Sequence, residues 1–326
     1  MIKNDIEITD IHYDNNIMIK KFNHVNNKNN ENVIFYFCGY NDYFFLEHLI
    51  YYFPQYDFFT IDITTFGFNK TYEQDKYNYG NKFNYYDNTI EFSKYLTKLF
   101  QSNLFNTNYK KIYICGHSTG GHIVLSFLFY VQLNNIKLAY TFDRLLLVSP
   151  LTRFYQESLE FLKKQVIKFI SFFTYNFDIN LILNGKNKPI DFTNYYKALK
   201  NIYGKINKDF QKNYETPLLD KKYKSFIEQP KLSGWLNCVE NYTNYMKQSK
   251  TKILIPTYVI CSNNHGDETY FNNDSLLNPN YIIEDVKTIC SNVNIKQYNT
   301  GHQCLLEPFD DNDNDDFIQM FNFMIN

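Results

Sequence analysis

The chain has 326 residues, enough to bury a sizeable core as one large domain or two small ones. Its 33 lysines and arginines nearly balance 34 aspartates and glutamates, so no overall field draws it to nucleic acid or to an acidic membrane surface. Aromatic residues reach 19 %, with 30 Tyr and 31 Phe spread along the whole chain, so a single tyrosine carries little functional weight.

Taken in order, residues 6–8 and 17–22 read as two short strands around the turn-like Asp14-Asn15-Asn16. A polar, Asn-rich connection over 23–32 leads to residues 33–38, VIFYFC, apolar on both faces as a central parallel strand should be. A helix is expected over 43–52, another apolar strand over 58–63, and a helix over 85–100 with Phe92, Leu96 and Leu99 on one side. Residues 112–115 form the next strand, and a helix with almost no polar face begins at about His122. Residues 145–148 make a further strand, closed by Ser149-Pro150. This alternation implies right-handed crossovers and a mostly parallel sheet with helices on both faces.

After Pro150 the rhythm changes. Residues 151–250 carry helical and loop-like patterns without an obvious core strand, and read as an inserted lid over the C-terminal edge of the sheet. The core is then one discontinuous domain, 1–150 and 251–326. A strand resumes over 253–261, followed by a helix over 283–290, a short strand over 295–298 and a last helix over 317–324. The acidic stretch 310–316 suits the N-terminus of that helix.

The six cysteines (Cys38, Cys115, Cys238, Cys261, Cys290, Cys304) lie far apart with no C-x-x-C pair, which argues against a disulfide framework or a zinc site. Cys38, Cys115 and Cys261 end apolar runs, where a thiol serves as a small buried hydrophobe. MIKNDIEITD lacks the apolar core of a signal peptide, and no stretch approaches about 18 apolar residues, so a cytoplasmic setting is expected.

The chemistry concentrates in KIYICGHSTGG, residues 111–121, where strand, tight turn and helix meet at G-x-S-x-G. A serine on so sharp a turn has its hydroxyl lifted clear of the sheet. Bulky side chains at the flanking positions would collide, hence Gly116 and Gly120. Serine needs a base to take its proton and an acid to orient that base. His117 and His122 stand too near Ser118 in sequence to serve. His302 follows the last strand, the place for the base in the order Ser, Asp, His. The acid is sought in the loop after Cys261, which offers Asp267, Glu268 and Asp274. Asp267 is preferred as nearest the strand end, with Asp274 next. Backbone N–H groups of Thr119, at the start of the helix, and of Tyr40, after the close-approaching Gly39, are the expected oxyanion donors.

With these residues in place, the chain resembles the α/β-hydrolases of the serine aminopeptidase and monoacylglycerol lipase-like group, also labelled lysophospholipase-like. The blocks VIFYFCGYNDYFF (33–45), FFTIDITTFGFN (58–69), YICGHSTGGHIVL (113–125) and YNTGHQCLLEP (298–308) carry the likeness, and SGWLNCVENY resembles a tryptophan-bearing helix near the lid's end. The resemblance implies the α/β-hydrolase fold, with Ser118 as nucleophile, His302 as base, and Tyr40 and Thr119 as oxyanion donors. Two departures stand out. The family's His-Gly in the first loop is Cys38-Gly39 here, and its acid, two or three residues after the strand, is replaced by Ser262-Asn263-Asn264.

The expected activity is therefore hydrolysis of a carboxylic ester through an acyl-enzyme, without cofactor or metal. The expected partner is a small, apolar acyl substrate such as a monoacylglycerol or lysophospholipid, met in solution or at a transient membrane contact. A peptidase or amidase of the same fold and a non-catalytic binding homologue are the alternatives, the latter resting on the missing acid.

Overall fold

The computed structural model describes residues 6–12, 17–27, 30–40, 42–44, 46–63, 89–102, 104–105, 108–139, 141–153, 169, 233–266, 274, 276–305 and 316–326. Eight strands form a single sheet: β1 (Ile6–His12), β2 (Ile17–His24), β3 (Asn32–Phe37), β4 (Tyr56–Ile63), β5 (Lys111–His117), β6 (Arg144–Val148), β7 (Thr257–Ser262) and β8 (Val293–Tyr298). Their order across the sheet is β1-β2-β4-β3-β5-β6-β7-β8. The β1–β2 and β2–β4 pairs are antiparallel, and every pair from β4 to β8 is parallel.

Strand side chains alternate between two faces, and the two halves of the core follow this alternation residue by residue. Val33, Phe35 and Phe37 of β3, Ile112 and Ile114 of β5, and Leu145 and Leu147 of β6 point to one face. There they meet α2 (Thr89–Gln101), α3 (Thr119–Leu133), α4 (Ser233–Gln248) and α5 (Pro279–Ile289). Ile34, Tyr36, Tyr113, Cys115, Leu146 and Val148 point to the other, against α1 (His48–Tyr52) and α6 (Asp316–Ile325). All residues of α3 from Thr119 to Phe129 are buried. Its even hydrophobicity follows from this place, with the sheet on one side and α2 and α4 outside. Cys115 and Cys261 are fully buried and act as apolar filler, burial pushing the Cys261 thiol up to about 12, whereas Cys38 is only half-buried.

Several expectations about elements change. The helix sought over 43–52 shrinks to His48–Tyr52, and ahead of it the Asp42 carboxylate accepts the Tyr43 N–H (3.1 Å). The strand sought over 253–261 is divided at Pro256, which has no N–H for the ladder. Ile253 makes an isolated bridge to Cys290, and the strand proper starts at Thr257. The helix expected from His122 begins at Thr119, immediately after the serine. The turn at 14–16 and most of the acidic run 310–316 lie outside the described residues.

Of the expected lid 151–250, most lies outside the described residues. Its final helix, α4, places Val239, Tyr242 and Met246 in the same core as α3 and the sheet. Arg153, at the start of the segment, is joined to α4 and α5 by a charge cluster centred on the buried Asp285. The Asp285 carboxylate, fully buried, accepts Nε (2.8 Å) and Nη2 (2.7 Å) of Arg153 and Nζ of Lys247 (2.5 Å). Glu284 accepts a further bond from Arg153 at 2.6 Å, and the guanidinium stacks on Tyr281, 4.1 Å from its ring centre. At the other end of the sheet, Arg144 donates to the carbonyls of Met324 (3.1 Å) and Asn326 (2.7 Å), which holds the C-terminus of α6 beneath β6.

Asp285→Asn should cost about 2–3 kcal/mol in urea unfolding with an unchanged slope, because two cations lose their buried counter-ion while keeping Glu284 and some solvent. A loss below roughly 0.5 kcal/mol would show that the cluster is not a structural tie.

Candidate active site

Parallel strands deliver their C-terminal ends to one edge of the sheet, so the loops after β3, β5, β6, β7 and β8 meet there. β5 brings Ser118 to the middle of this edge. Its backbone stands at φ 52°, ψ −118°, a conformation costly for a residue with a side chain. Three hydrogen bonds hold it. Ser118 N–H donates to the Val148 carbonyl (3.0 Å), and its own carbonyl accepts from Leu151 (2.8 Å) and His122 (3.3 Å). The flanking glycines are needed because the chain crosses itself here. A Cβ on Gly120 would lie 2.1 Å from the Phe37 carbonyl oxygen, one on Gly116 2.5 Å from that of Gly120, and one on Gly121 2.6 Å from Cβ of Pro150. Gly39 also approaches the turn, its Cβ position lying 3.3 Å from Cβ of Ser118. The loop bearing Tyr40 therefore runs beside the serine, and buried Thr119 opens α3 on its other side.

His302 lies in the loop after β8, where Thr300, His302, Gln303, Cys304 and Leu305 are all buried. His48 on α1 bonds the Leu305 carbonyl through Nε2 (3.2 Å), and the Cys304 thiol meets the Ser149 hydroxyl at 3.2 Å. Nδ1 of His302 is 2.9 Å from Oδ2 of Asp274.

That carboxylate is completely buried and accepts two more bonds at Oδ1, from the N–H groups of Leu276 (2.9 Å) and Leu277 (2.8 Å). The preferred acid of the sequence reading, Asp267, lies outside the described residues. It is Asp274, the second choice, that meets the histidine. The loop returns it to the strand end. Asp274 N–H donates to the carbonyl of Asn264 (3.0 Å), and His265 Nδ1 is 2.7 Å from the Asp274 carbonyl and 3.2 Å from that of Leu277. Both are acceptors, so Nδ1 of His265 carries the proton. The backbone of Asn264, two residues past the end of β7, thus pins Asp274 there. Sequence distance could not reveal this. An Asp placed to accept from backbone N–H groups two and three residues on was the available signal.

The other histidines near the serine are engaged elsewhere. His122 is buried in α3 and hydrogen-bonded to the backbone of Val239, and desolvation lowers its pKa from 6.5 to about 3. His117 is buried with its ring centre 5.0 Å from that of His302. Among the described residues no group of His, Cys, Asp and Glu is arranged to hold a metal ion, and no helix is long and apolar enough to cross a membrane.

No family model and no curated protein matches this chain. Solved structures do. A soluble variant of monoglyceride lipase from Saccharomyces cerevisiae, in complex with a substrate analogue, matches with a TM-score of 0.58 at 13 % identity, over 98 % of this chain and 93 % of that one. The chain has the α/β-hydrolase fold. DcsB in complex with its substrate analogue matches at 0.55 and 13 % identity, over 98 % of this chain and 99 % of the other. A monoacylglycerol lipase from Paleococcus ferrophilus matches at 0.51 and 13 % identity, over 93 % of each. The resemblance to the monoacylglycerol lipase-like group that the sequence blocks implied thus extends to the three-dimensional fold.

Burial lowers the pKa of His48 to about 4 as well as that of His122 to about 3. Both values lie below that of an unfolded histidine, so the unfolded chain binds protons more readily. The stability these groups contribute is complete above about pH 6.5 and falls with pH, by up to about 1.4 kcal/mol per unit for each histidine. In urea titrations between pH 7 and 4.5, His122→Gln should show a visibly shallower decline than the wild type. Parallel declines would exclude His122 as a source of acid lability.

Proposed function

We propose that the protein is a serine hydrolase that cleaves a carboxylic ester through an acyl-enzyme. One observation carries the proposal: a buried Asp274–His302 pair at 2.9 Å shares the sheet edge with a serine held at φ 52° on a G-x-S-x-G turn. With Nδ1 of His302 given to Asp274, the imidazole keeps Nε2 to take the proton from the Ser118 hydroxyl. Asp274 fixes that tautomer and stabilises the imidazolium as it forms. The Ser118 oxygen attacks the acyl carbonyl. The negative charge that develops is received by the N–H groups of Thr119 and Tyr40, the former aided by the N-terminus of α3. His302 then returns the proton to the departing alcohol, and water, activated the same way, releases the acid.

Under this reading Asp274 supplies the acid whose absence from its usual place was the main argument for a non-catalytic homologue. The likeness to two monoacylglycerol lipase structures supports an ester with a fatty acyl chain as substrate. No cofactor is needed for this chemistry, and we place the reaction in the cytoplasm.

A fluorophosphonate probe should label the folded protein at Ser118, and Ser118→Ala should abolish labelling. With p-nitrophenyl esters, Asp274→Asn should lower kcat by about 10⁴, since asparagine favours the wrong histidine tautomer. If Asp267→Asn causes that loss and Asp274→Asn does not, the acid is assigned wrongly. Absence of any labelling would overturn the enzyme itself.

A further inference from the structure

Three loops must be held in register for this site to work: the one after β3 with Gly39 and Tyr40, the turn with Ser118, and the one after β8 with His302. A chain of buried polar side chains crosses all three. Asp42, 4 % exposed, accepts the Tyr43 N–H at Oδ1 and the Gln303 side-chain amide at Oδ2, 3.0 Å away. The same amide nitrogen is 3.4 Å from Nδ1 of His117, and Nε2 of His117 is 3.4 Å from the backbone carbonyl of His302. The His117 ring also backs the Gly39 backbone, where an added Cβ would be 2.9 Å from Nδ1.

The direction of these bonds follows from the inventory of donors. An ionised carboxylate only accepts, so Asp42 requires the NH₂ side of Gln303. One hydrogen of that NH₂ goes to Asp42 and the other points at Nδ1 of His117, which must then be the bare nitrogen. The proton of the neutral ring is left on Nε2, where it donates to the His302 carbonyl. We propose that Asp42, Gln303 and His117 form a directed hydrogen-bond chain that positions the oxyanion loop and the base loop against the Ser118 turn. Their hydrogen bonds run to one another and to loop backbone, so they are positioning residues. The proposal rests on the serine-hydrolase reading above.

Its direction gives the chain a specific weakness. In Asp42→Asn the residue can donate, so Gln303 can turn its amide over and present oxygen to His117. The imidazole would then carry its proton on Nδ1 and aim a lone pair at the His302 carbonyl. The two acceptors would repel, and the base loop would shift although the fold and the volume of every side chain are kept. Gln303→Met breaks the chain at its centre by a different route.

Steady-state kinetics on active sites counted by fluorophosphonate labelling, together with ¹⁵N spectroscopy of the histidine rings, test the proposal. In the wild type, His117 should be the neutral tautomer protonated on Nε2. Asp42→Asn should move it to the Nδ1 form. Each variant should lower kcat per labelled site by roughly 10- to 100-fold with KM little changed, because misplaced oxyanion donors act on the transition state. A merely structural role would lower the melting temperature or the count of active sites and leave kcat per site intact. Wild-type kcat in both variants, or a wild-type His117 protonated on Nδ1, overturns the chain while leaving the hydrolase in place. A wild-type protein that the probe does not label overturns the hydrolase reading, and the catalytic role of the chain with it.

Discussion

The backbone of Ser118 is the constraint around which the structure is built. A residue with a side chain does not hold φ 52°, ψ −118° unless its surroundings overdetermine it. Here they do so in two ways. The Val148 carbonyl and the Leu151 and His122 N–H groups claim its polar atoms, and the Phe37 and Gly120 carbonyls come so close that a methyl group at Gly120 or Gly116 has no room. The turn therefore depends on β3, β5, β6 and α3 all being in place. Strain at one residue is sustained by a sheet and helix that together bury a great deal of apolar surface.

The same crowding explains how polar groups come to be buried so densely at this edge. Asp274, Asp42, Gln303, His117 and His302 are each at most 5 % exposed, which would be prohibitive without partners. Asp274 has three donors, and Gln303 links Asp42 to His117. The bonds of Asp274 to His302 and of Gln303 to Asp42 and His117 also tie one loop to another, so satisfying these buried groups and aligning the site are one and the same event. The charge cluster of Asp285 with Arg153 and Lys247 does comparable work further out, joining the end of β6 to α4 and α5.

Under the hydrolase proposal, Asn264 stands where the resembled group keeps its acid, and Asp274 takes that role. The Asn264 carbonyl and the His265 ring bind the backbone of Asp274, returning a carboxylate ten positions further along to the end of β7. Catalytic geometry constrains where an oxygen atom stands, not how many residues precede it.

The sequence alone determined what depends on local pattern. Apolar runs broken by turns located the central strands, and the elbow was legible because its glycines and serine are contiguous and their spacing is steric. The position of His302 in the loop after the last strand was legible too. Its carboxylate partner was not, because a loop with several carboxylates has no period, and only the folded loop brings Asp274 to the histidine. Nor could the links among Asp42, Gln303 and His117 be read, since Asp42 and Gln303 are 261 residues apart and meet only when β3 and β8 are in the same sheet. Local propensity and steric spacing are written in adjacent residues, whereas the pairing of buried polar groups is decided by which loops the sheet brings to its edge.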